Sequence, residues 1–244
     1  MIVIERLEVE QIPVLLMAKS SLQSKPLPTV FYYHGFNGEK ESSLTIAYKM
    51  AEKGIRVILP DAPLHGERAI SEDSIEHGVT FWNIVTDALQ EIKSLYEYLK
   101  KKQLILDNRI GFGGTSMGGM ITYAALTKYD WIKSAAVLMG TPYITERAKQ
   151  TMQGASEFDE VKLREVKKFD LTKQVEKLNN RPLFIWHGEL DQIVPVEDSR
   201  KFYKEVQSKY TKEEDLQFIE EKDRIHNISK LSIRKTAEWF ERKL

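Results

Sequence analysis

The residues with the clearest chemistry form the short sequence Gly114-Thr115-Ser116-Met117-Gly118. It follows an apolar run typical of a strand and precedes a run typical of a helix. A serine at such a tight strand-to-helix turn is held in a strained backbone conformation that exposes its hydroxyl, and the helix N-terminus favours negative charge beside it. Small residues are needed around it because neighbouring backbone crowds the turn. The pattern predicts that Ser116 is a nucleophile; the alternative is a glycine-rich turn that holds a phosphate.

A serine hydroxyl is a weak nucleophile, so a base must lie beside it. Of the five histidines, His226 lies in a loop between the last predicted strand and the last predicted helix, from which a base could reach Ser116. Taken alone, it could equally be a surface loop histidine. The others are His34, His65, His77 and His187. The first and last of these precede a glycine at a strand end, where a turn-stabilising hydrogen bond is expected, and His65 remains an alternative base.

The candidate acid is Asp191, in the segment His187-Gly188-Glu189-Leu190-Asp191-Gln192-Ile193-Val194-Pro195. An acid four residues after a strand-end histidine, followed by an apolar pair and a proline, suits a carboxylate held by backbone N–H groups. Asp191 would then orient the imidazole and stabilise its cation. The alternative is an aspartate that caps a turn or a helix.

The order serine, aspartate, histidine along the chain is the one found in α/β-hydrolases, and the chain resembles that superfamily over essentially its whole length. It is similar to the small bacterial esterases of the dienelactone-hydrolase and prolyl-oligopeptidase-like branch. The resemblance rests on the His34-Gly35-Phe36 turn, the turn at Ser116, the segment His187–Pro195, His226, and the loop Asp61–Gly66, which is similar to the Gly/His-rich loop after the fourth strand. One departure is informative: true dienelactone hydrolases use a cysteine at the nucleophile turn, and this chain has no cysteine.

The resemblance implies an oxyanion hole formed by the backbone N–H groups of Phe36 and Met117, and a reaction that needs neither a metal nor an organic cofactor. It implies a serine carboxylesterase with a small-molecule ester substrate. Four apolar residues are candidates for a pocket wall that suits short- to medium-chain acyl groups, although each could instead be a core residue: Phe36, Trp82, Met117 and Tyr143. The alternatives are a peptidase or thioesterase with the same triad, and a ligand-binding protein that retains the hydrolase fold.

The elements that must position these residues alternate along the chain. Apolar runs typical of buried parallel strands cover Thr29–Tyr33, Ile55–Leu59, Ile110–Phe112, Ala135–Met139 and Leu183–Trp186, with a weaker one at Asp215–Glu220. Helical patterns cover Ser43–Lys53, Phe81–Lys101, Met117–Lys128, Val196–Lys209 and Ile228–Arg242. At the N-terminus, Ile2–Glu10 and Val14–Met17, broken by Pro13, are typical of an antiparallel ribbon at a sheet edge. We predict an α/β-hydrolase fold with a mostly parallel, eight-stranded sheet flanked by helices, in one domain over residues 1–244.

One segment does not fit this alternation. From Thr141 to Arg181, 41 residues separate two predicted strands, and 16 of them are charged, so much of the segment faces water. Two or three short helices fit it. We interpret residues 141–181 as a small helical lid insertion over the carboxyl ends of the strands; the alternative is a longer crossover with no role at the site.

Composition narrows the function further. The chain has 244 residues, with 36 Lys+Arg and 36 Asp+Glu. It therefore lacks the surplus of basic residues that a nucleic-acid-binding protein needs, and we expect no nucleic-acid partner. The lack of cysteine excludes disulfides, thiolate zinc sites and a cysteine nucleophile. We expect no membrane span, because no apolar run approaches about 20 residues, and no signal peptide, because Glu5 interrupts the first apolar residues. A cytoplasmic enzyme is therefore expected, with no prediction of its oligomeric state.

Overall fold

The centre of the protein is an eight-stranded sheet. We describe it from a computed structural model, over residues 1–69, 78–152 and 157–244. The strands are β1 (Ile2–Val9), β2 (Ile12–Lys19), β3 (Leu27–Tyr33), β4 (Arg56–Pro60), β5 (Ile105–Thr115), β6 (Ser134–Leu138), β7 (Leu183–Gly188) and β8 (Leu216–Glu221). Their order in the sheet is β1-β2-β4-β3-β5-β6-β7-β8. β2 runs antiparallel to both of its neighbours, and every pair from β4 to β8 is parallel. The predicted sheet, with its antiparallel ribbon at one edge, is confirmed.

Helices cover both faces of the sheet. They are α1 (Leu44–Glu52), α2 (Gly78–Lys101), α3 (Met117–Lys128), α4 (Ile144–Thr151), α5 (Glu157–Lys167), α6 (Val196–Gln207) and α7 (Lys230–Lys243). Alternate residues of β3 enter different cores: Phe31 joins α2 and α3 on one face, whereas Val30 joins α1 and α7 on the other. Both sets are apolar because neither face meets water, which explains the nearly continuous apolar strands. In the described part of the chain, no helix combines the length and the apolarity that a membrane span requires.

Two of the differences from the predicted element boundaries have a clear physical cause. The ribbon turns at Glu10 and Gln11, which both have positive φ (49° and 67°), and not at Pro13, which lies inside β2 opposite Glu8. Two residues in this conformation match the twist of a tight hairpin, so the turn needs no proline. β5 begins at Ile105, five residues earlier than predicted, because a polar irregularity with positive φ at 107 and 108 interrupts its apolar pattern.

The long segment between β6 and β7 is helical, as its composition indicates. Residues 141–181 hold α4, α5 and two 3-10 turns, Leu171–Lys173 and Val175–Leu178. Arg147 of α4 donates a side-chain hydrogen bond to the backbone carbonyl of Ile193, in the loop after β7. That this segment is a lid remains a prediction. That residues 1–244 form one domain also remains a prediction.

Candidate active site

Ser116 lies between the last residue of β5 and the first residue of α3. Its φ of 56° and ψ of −112° are unusual for a residue with a side chain, and such strain persists only where the surroundings enforce it. A Cβ on Gly118 would lie 2.2 Å from the carbonyl oxygen of Tyr33, and one on Gly114 would lie 2.3 Å from the carbonyl of Gly118. The crowding that the glycine pattern predicts around this serine is therefore present.

The structure brings three of the predicted residues into one chain of hydrogen bonds. Nε2 of His226 lies 2.9 Å from Oγ of Ser116, and Nδ1 of His226 lies 2.6 Å from Oδ2 of Asp191. An ionised carboxylate only accepts hydrogen bonds, so Nδ1 carries the proton and Nε2 is free to accept from the serine hydroxyl. This is the arrangement in which an imidazole can remove the proton of a nucleophile.

Asp191 is held as an anion in a buried setting. Burial raises the pKa of its carboxyl, but hydrogen bonds from His187, from His226 and from the N–H of Val194 outweigh this and bring the pKa well below its usual range. Oδ1 accepts the N–H groups of Ile193 and Val194, both at 2.9 Å. The apolar pair after the aspartate thus supplies the backbone donors that the sequence suggested.

The loop after β3 passes directly beside the serine. A Cβ on Gly35 would lie in ordinary contact, 3.5 Å, with Cβ of Ser116. The next residue, Phe36, packs its ring edge-on against the rings of His65 and Phe81, at 5.3 Å from each. Met117 follows Ser116 directly in the chain, as the first residue of α3. The assignment of the oxyanion donors to Phe36 and Met117 remains a prediction.

Two histidines join this loop to the loop after β4. Nδ1 of His34 lies 2.8 Å from the carbonyl of Gly35, and its Nε2 accepts the N–H of Ala62 at 3.1 Å. Burial lowers the pKa of His34 to about 4, which keeps the ring neutral. Nδ1 of His65 lies 2.9 Å from the carbonyl of Pro63, and its Nε2 accepts the N–H of Asn37 at 3.2 Å.

Both nitrogens of His65 are therefore engaged away from Ser116, which favours His226 over it as the base. His34 makes the turn-stabilising hydrogen bonds that its position before a glycine predicts. His77 lies outside the described residues.

A buried ion pair fastens the same two loops, and the sequence did not indicate it. Nζ of Lys40 lies 2.7 Å from Oδ2 of Asp61, with side-chain exposures of 1% and 0%. Burial lowers the pKa of Lys40, but Asp61 and Glu67 outweigh that effect and the net shift is upward. Oδ1 of Asp61 also accepts the backbone N–H of Lys40 at 2.8 Å. Nothing in the local sequence separates Lys40 from an ordinary surface lysine, because its partner comes from a distant loop.

The predicted pocket residues are mostly buried. Trp82 has no exposed surface, and its indole N–H donates to Oγ1 of Thr151 at 2.9 Å. Met117 is also fully buried, and the hydroxyl of Tyr143 donates to Glu205 at 2.7 Å. Phe36 is partly exposed. Substrate contact by these four residues remains a prediction. Within the described residues, no three His, Asp or Glu side chains converge as metal ligands would.

The chain is similar to several known proteins over most of its length. Residues 45–244 match the prolyl oligopeptidase family. The chain is 42% identical, over 99% of both chains, to the Bacillus subtilis (strain 168) protein named "Putative esterase YitV". It is 33% identical, over 82% of both chains, to Esterase YjfP of Escherichia coli (strain K12). The solved structure of TT1662 from Thermus thermophilus matches with a TM-score of 0.81 at 20% identity, over 99% of this chain and 98% of that one. This chain therefore has the α/β-hydrolase fold predicted from its sequence and belongs to the prolyl oligopeptidase family.

Proposed function

We propose that the protein is a serine carboxylesterase that hydrolyses short- to medium-chain acyl esters through the triad Ser116, His226 and Asp191. Its family, together with relatives at 42% and 33% identity whose names say esterase, makes it a serine hydrolase that acts on ester bonds. The observation that carries the triad is the continuous hydrogen-bond chain, 2.9 Å and 2.6 Å long at its two links, from Ser116 to Asp191.

Acylation begins when Nε2 of His226 removes the proton from Ser116 and Oγ attacks the ester carbonyl carbon. The imidazolium that forms lies against the Asp191 carboxylate, which stabilises the positive charge. The tetrahedral intermediate then collapses: the carbon–oxygen bond to the alcohol breaks, and His226 gives its proton to the leaving oxygen. The product is an ester between the acyl group and Ser116.

Deacylation repeats these steps with water. His226 removes a proton from water as its oxygen attacks the acyl carbon, and the proton then returns to Oγ of Ser116. Ser116, His226 and water account for every proton in this cycle, so the proposed reaction uses no metal and no organic cofactor.

The oxyanion would be held by the backbone N–H groups of Phe36 and Met117. Two observations support this: the loop at Gly35 is in contact with Ser116, and Met117 opens a helix whose N-terminus favours negative charge. Removing one such donor costs about 3–4 kcal/mol in enzymes where it has been measured. Strained backbone at Ser116 is consistent with a turn built to present both the hydroxyl and the following N–H.

The acyl preference is proposed from the apolar residues near the serine. Phe36 is partly exposed beside Gly35, and its ring continues through Phe81 to Trp82 in edge-on contacts of 5.3 Å and 5.1 Å. We propose that Phe36, at the partly exposed end of this aromatic cluster, contacts the acyl group, with Phe81 and the buried Trp82 packed behind it. We also propose residues 141–181 as a lid, because Arg147 attaches α4 to the loop that carries Asp191. Its charged composition does not resemble the broad apolar lid of an enzyme that works at a lipid surface.

The test is a panel of p-nitrophenyl esters of graded acyl length, run with the wild type, Ser116→Ala, His226→Ala and the exposed control Ser208→Ala. We expect the first two variants to fold normally and to retain only a trace of esterase activity, while the control matches the wild type. Wild-type-like turnover by Ser116→Ala would refute the nucleophile. Loss of activity in His65→Ala with retention in His226→Ala would show that His65 is the base.

The family name favours one alternative, a peptidase with the same triad, and a thioesterase is a second. Adding thioesters and aminoacyl amides to the panel separates the three, since the highest kcat/KM identifies the preferred bond. A phosphonate probe that reacts with activated serines addresses the non-catalytic alternative: labelling of wild type but not of Ser116→Ala supports catalysis, and no labelling supports a binding protein. We keep the cytoplasm as the expected location, which cell fractionation would test.

A further inference from the structure

We propose that His187 is a positioning residue for the triad: its buried ring donates a hydrogen bond to Asp191 and shares the carboxylate's negative charge, which sets how strongly that carboxylate supports His226. This inference rests on the proposed function of Ser116, His226 and Asp191.

The ring of His187 lies at the end of β7 with no exposed surface. Its Nε2 lies 2.8 Å from the carbonyl oxygen of Val194 and 3.2 Å from Oδ2 of Asp191. Its Nδ1 lies 2.8 Å from Oγ of Ser199, in the first turn of α6. A carbonyl oxygen only accepts hydrogen bonds, so Nε2 must carry the proton, and Nδ1 accepts from the Ser199 hydroxyl. The Nε2–H therefore donates to Val194, and Oδ2 of Asp191, 3.2 Å from the same nitrogen, lies close enough to share it.

One carboxylate oxygen thus receives two imidazole N–H groups. Oδ2 of Asp191 lies 2.6 Å from Nδ1 of His226 and 3.2 Å from Nε2 of His187. Burial raises the pKa of Asp191, and the hydrogen bond from His187 is the first of the effects that lower it. A hydrogen bond from His187 reduces the negative charge that Asp191 presents to other groups. Asp191 therefore stabilises the cation that forms on His226 less strongly.

The other charged groups around His187 are already paired. Glu220 on β8 lies opposite it in the strand register, and Arg200 of α6 binds that carboxylate at 2.8 Å. His226 faces it from across Asp191. Of these neighbours, Asp191 is the one in hydrogen-bond contact with the ring, so a change at His187 acts first on Asp191.

Two amide substitutions separate the two sides of the ring. In His187→Gln the amide nitrogen takes the place of Nε2 and reaches Asp191. In His187→Asn the amide oxygen takes the place of Nδ1 and accepts from Ser199, and no donor of the shorter side chain reaches Asp191. With His187→Asn, Asp191 becomes the stronger partner of His226, so we expect the acid limb of the kcat/KM profile to move to higher pH, by about half a unit to one unit. We expect kcat to fall roughly tenfold because the acid is less well held.

With His187→Gln, the acid limb returns toward its wild-type position. Ser199→Ala is the matched control for a defect in packing: it disturbs the same buried cluster but leaves Nε2–H in place. We expect it to lower the unfolding temperature without moving the acid limb.

A wild-type acid limb in His187→Asn overturns the proposal, whatever happens to kcat. If neither amide variant folds, ¹⁵N-histidine spectra of the wild type decide: the Nε2–H tautomer of His187 supports the proposal, and the Nδ1–H tautomer overturns it. A fully active Ser116→Ala would remove the proposed function and this role with it. An inactive Ser116→Ala with an unmoved acid limb removes only the role of His187.

Discussion

The backbone N–H of Asn37 donates a hydrogen bond to Nε2 of His65 at 3.2 Å. The ring is oriented by the carbonyl of Pro63, which accepts from Nδ1–H, so His65 is fixed on both sides. The peptide that it holds follows directly after Phe36, whose N–H is one of the two proposed oxyanion donors. A histidine that could have been the base instead holds the loop that would bind the oxyanion.

Replacing His65 should reduce the stabilisation of the transition state more than it reduces the affinity for substrate. In His65→Leu, Asn37 loses its acceptor and the loop loosens, so we expect kcat to fall roughly tenfold or more with little change in KM, since oxyanion donors act mainly in the transition state. Steady-state kinetics on one ester measures both constants. His65→Gln is the matched variant, because its carbonyl can accept from Asn37, and it should retain most of the activity. An unchanged kcat in His65→Leu would contradict this role.

The turn at Ser116 should not tolerate a methyl group at Gly118. Its Cβ would lie 2.2 Å from the carbonyl oxygen of Tyr33, and backbone atoms of a central strand cannot move aside. We expect Gly118→Ala to lower the free energy of unfolding by about 3 kcal/mol, measured by urea denaturation, and to lower esterase activity. Gly35→Ala is the control, since its Cβ would meet Ser116 at an ordinary 3.5 Å. Equal stability of the two variants would show that the turn adapts.

The burial of His34 should make stability depend on pH in a defined window. The folded protein binds a proton at His34 near pH 4, because burial lowers its pKa, whereas the unfolded chain binds it near pH 6.5. The contribution is complete above pH 6.5 and is lost as pH falls toward 4, by about 3 kcal/mol in total. Urea unfolding between pH 4 and 7 measures this slope.

His34→Gln should reduce that slope, because its amide does not titrate. Asp191, whose lowered pKa costs stability below about pH 5, is present in both proteins, so its contribution cancels in the comparison. A slope identical to that of the wild type would show that another group titrates in this window.

The buried pair of Lys40 and Asp61 should be costly to break. Asp61→Asn removes the buried carboxylate beside the ammonium of Lys40 but leaves Glu67 at 2.6 Å from it, so we expect a loss of about 1–3 kcal/mol in the free energy of unfolding. The comparison is Glu52→Gln, which breaks an exposed pair with Lys49 of the same length, 2.7 Å, and should change the stability little because water screens the two charges. Similar losses from both variants would mean that burial does not decide the strength of these pairs.

Local patterns were enough to predict the turn at Ser116, the sheet, and Asp191 and His226 as its partners. Glycines around a serine at a strand end report backbone crowding, and apolar strands report burial on two faces. The contacts of His65 and Lys40, and the closeness of His187 to Asp191, could not be predicted, because each depends on which loops meet in space. The start of β5 and the turn at Glu10 were missed for a related reason: the residues there are polar, and only pairing with a neighbouring strand defines their conformation.

The close approach of Gly118 to Tyr33 has a consequence for the order in which parts of the enzyme fold. Tyr33 pairs with Gly114 across the β3–β5 ladder, a contact between residues about 80 positions apart in the chain. Contacts of such sequence separation form slowly because a long loop must close first. The strained backbone of Ser116 has no support until they exist. After dilution from denaturant, helical circular dichroism should therefore recover before ester hydrolysis, and newly refolded chains should pass through an interval in which they have helices but no reactive serine.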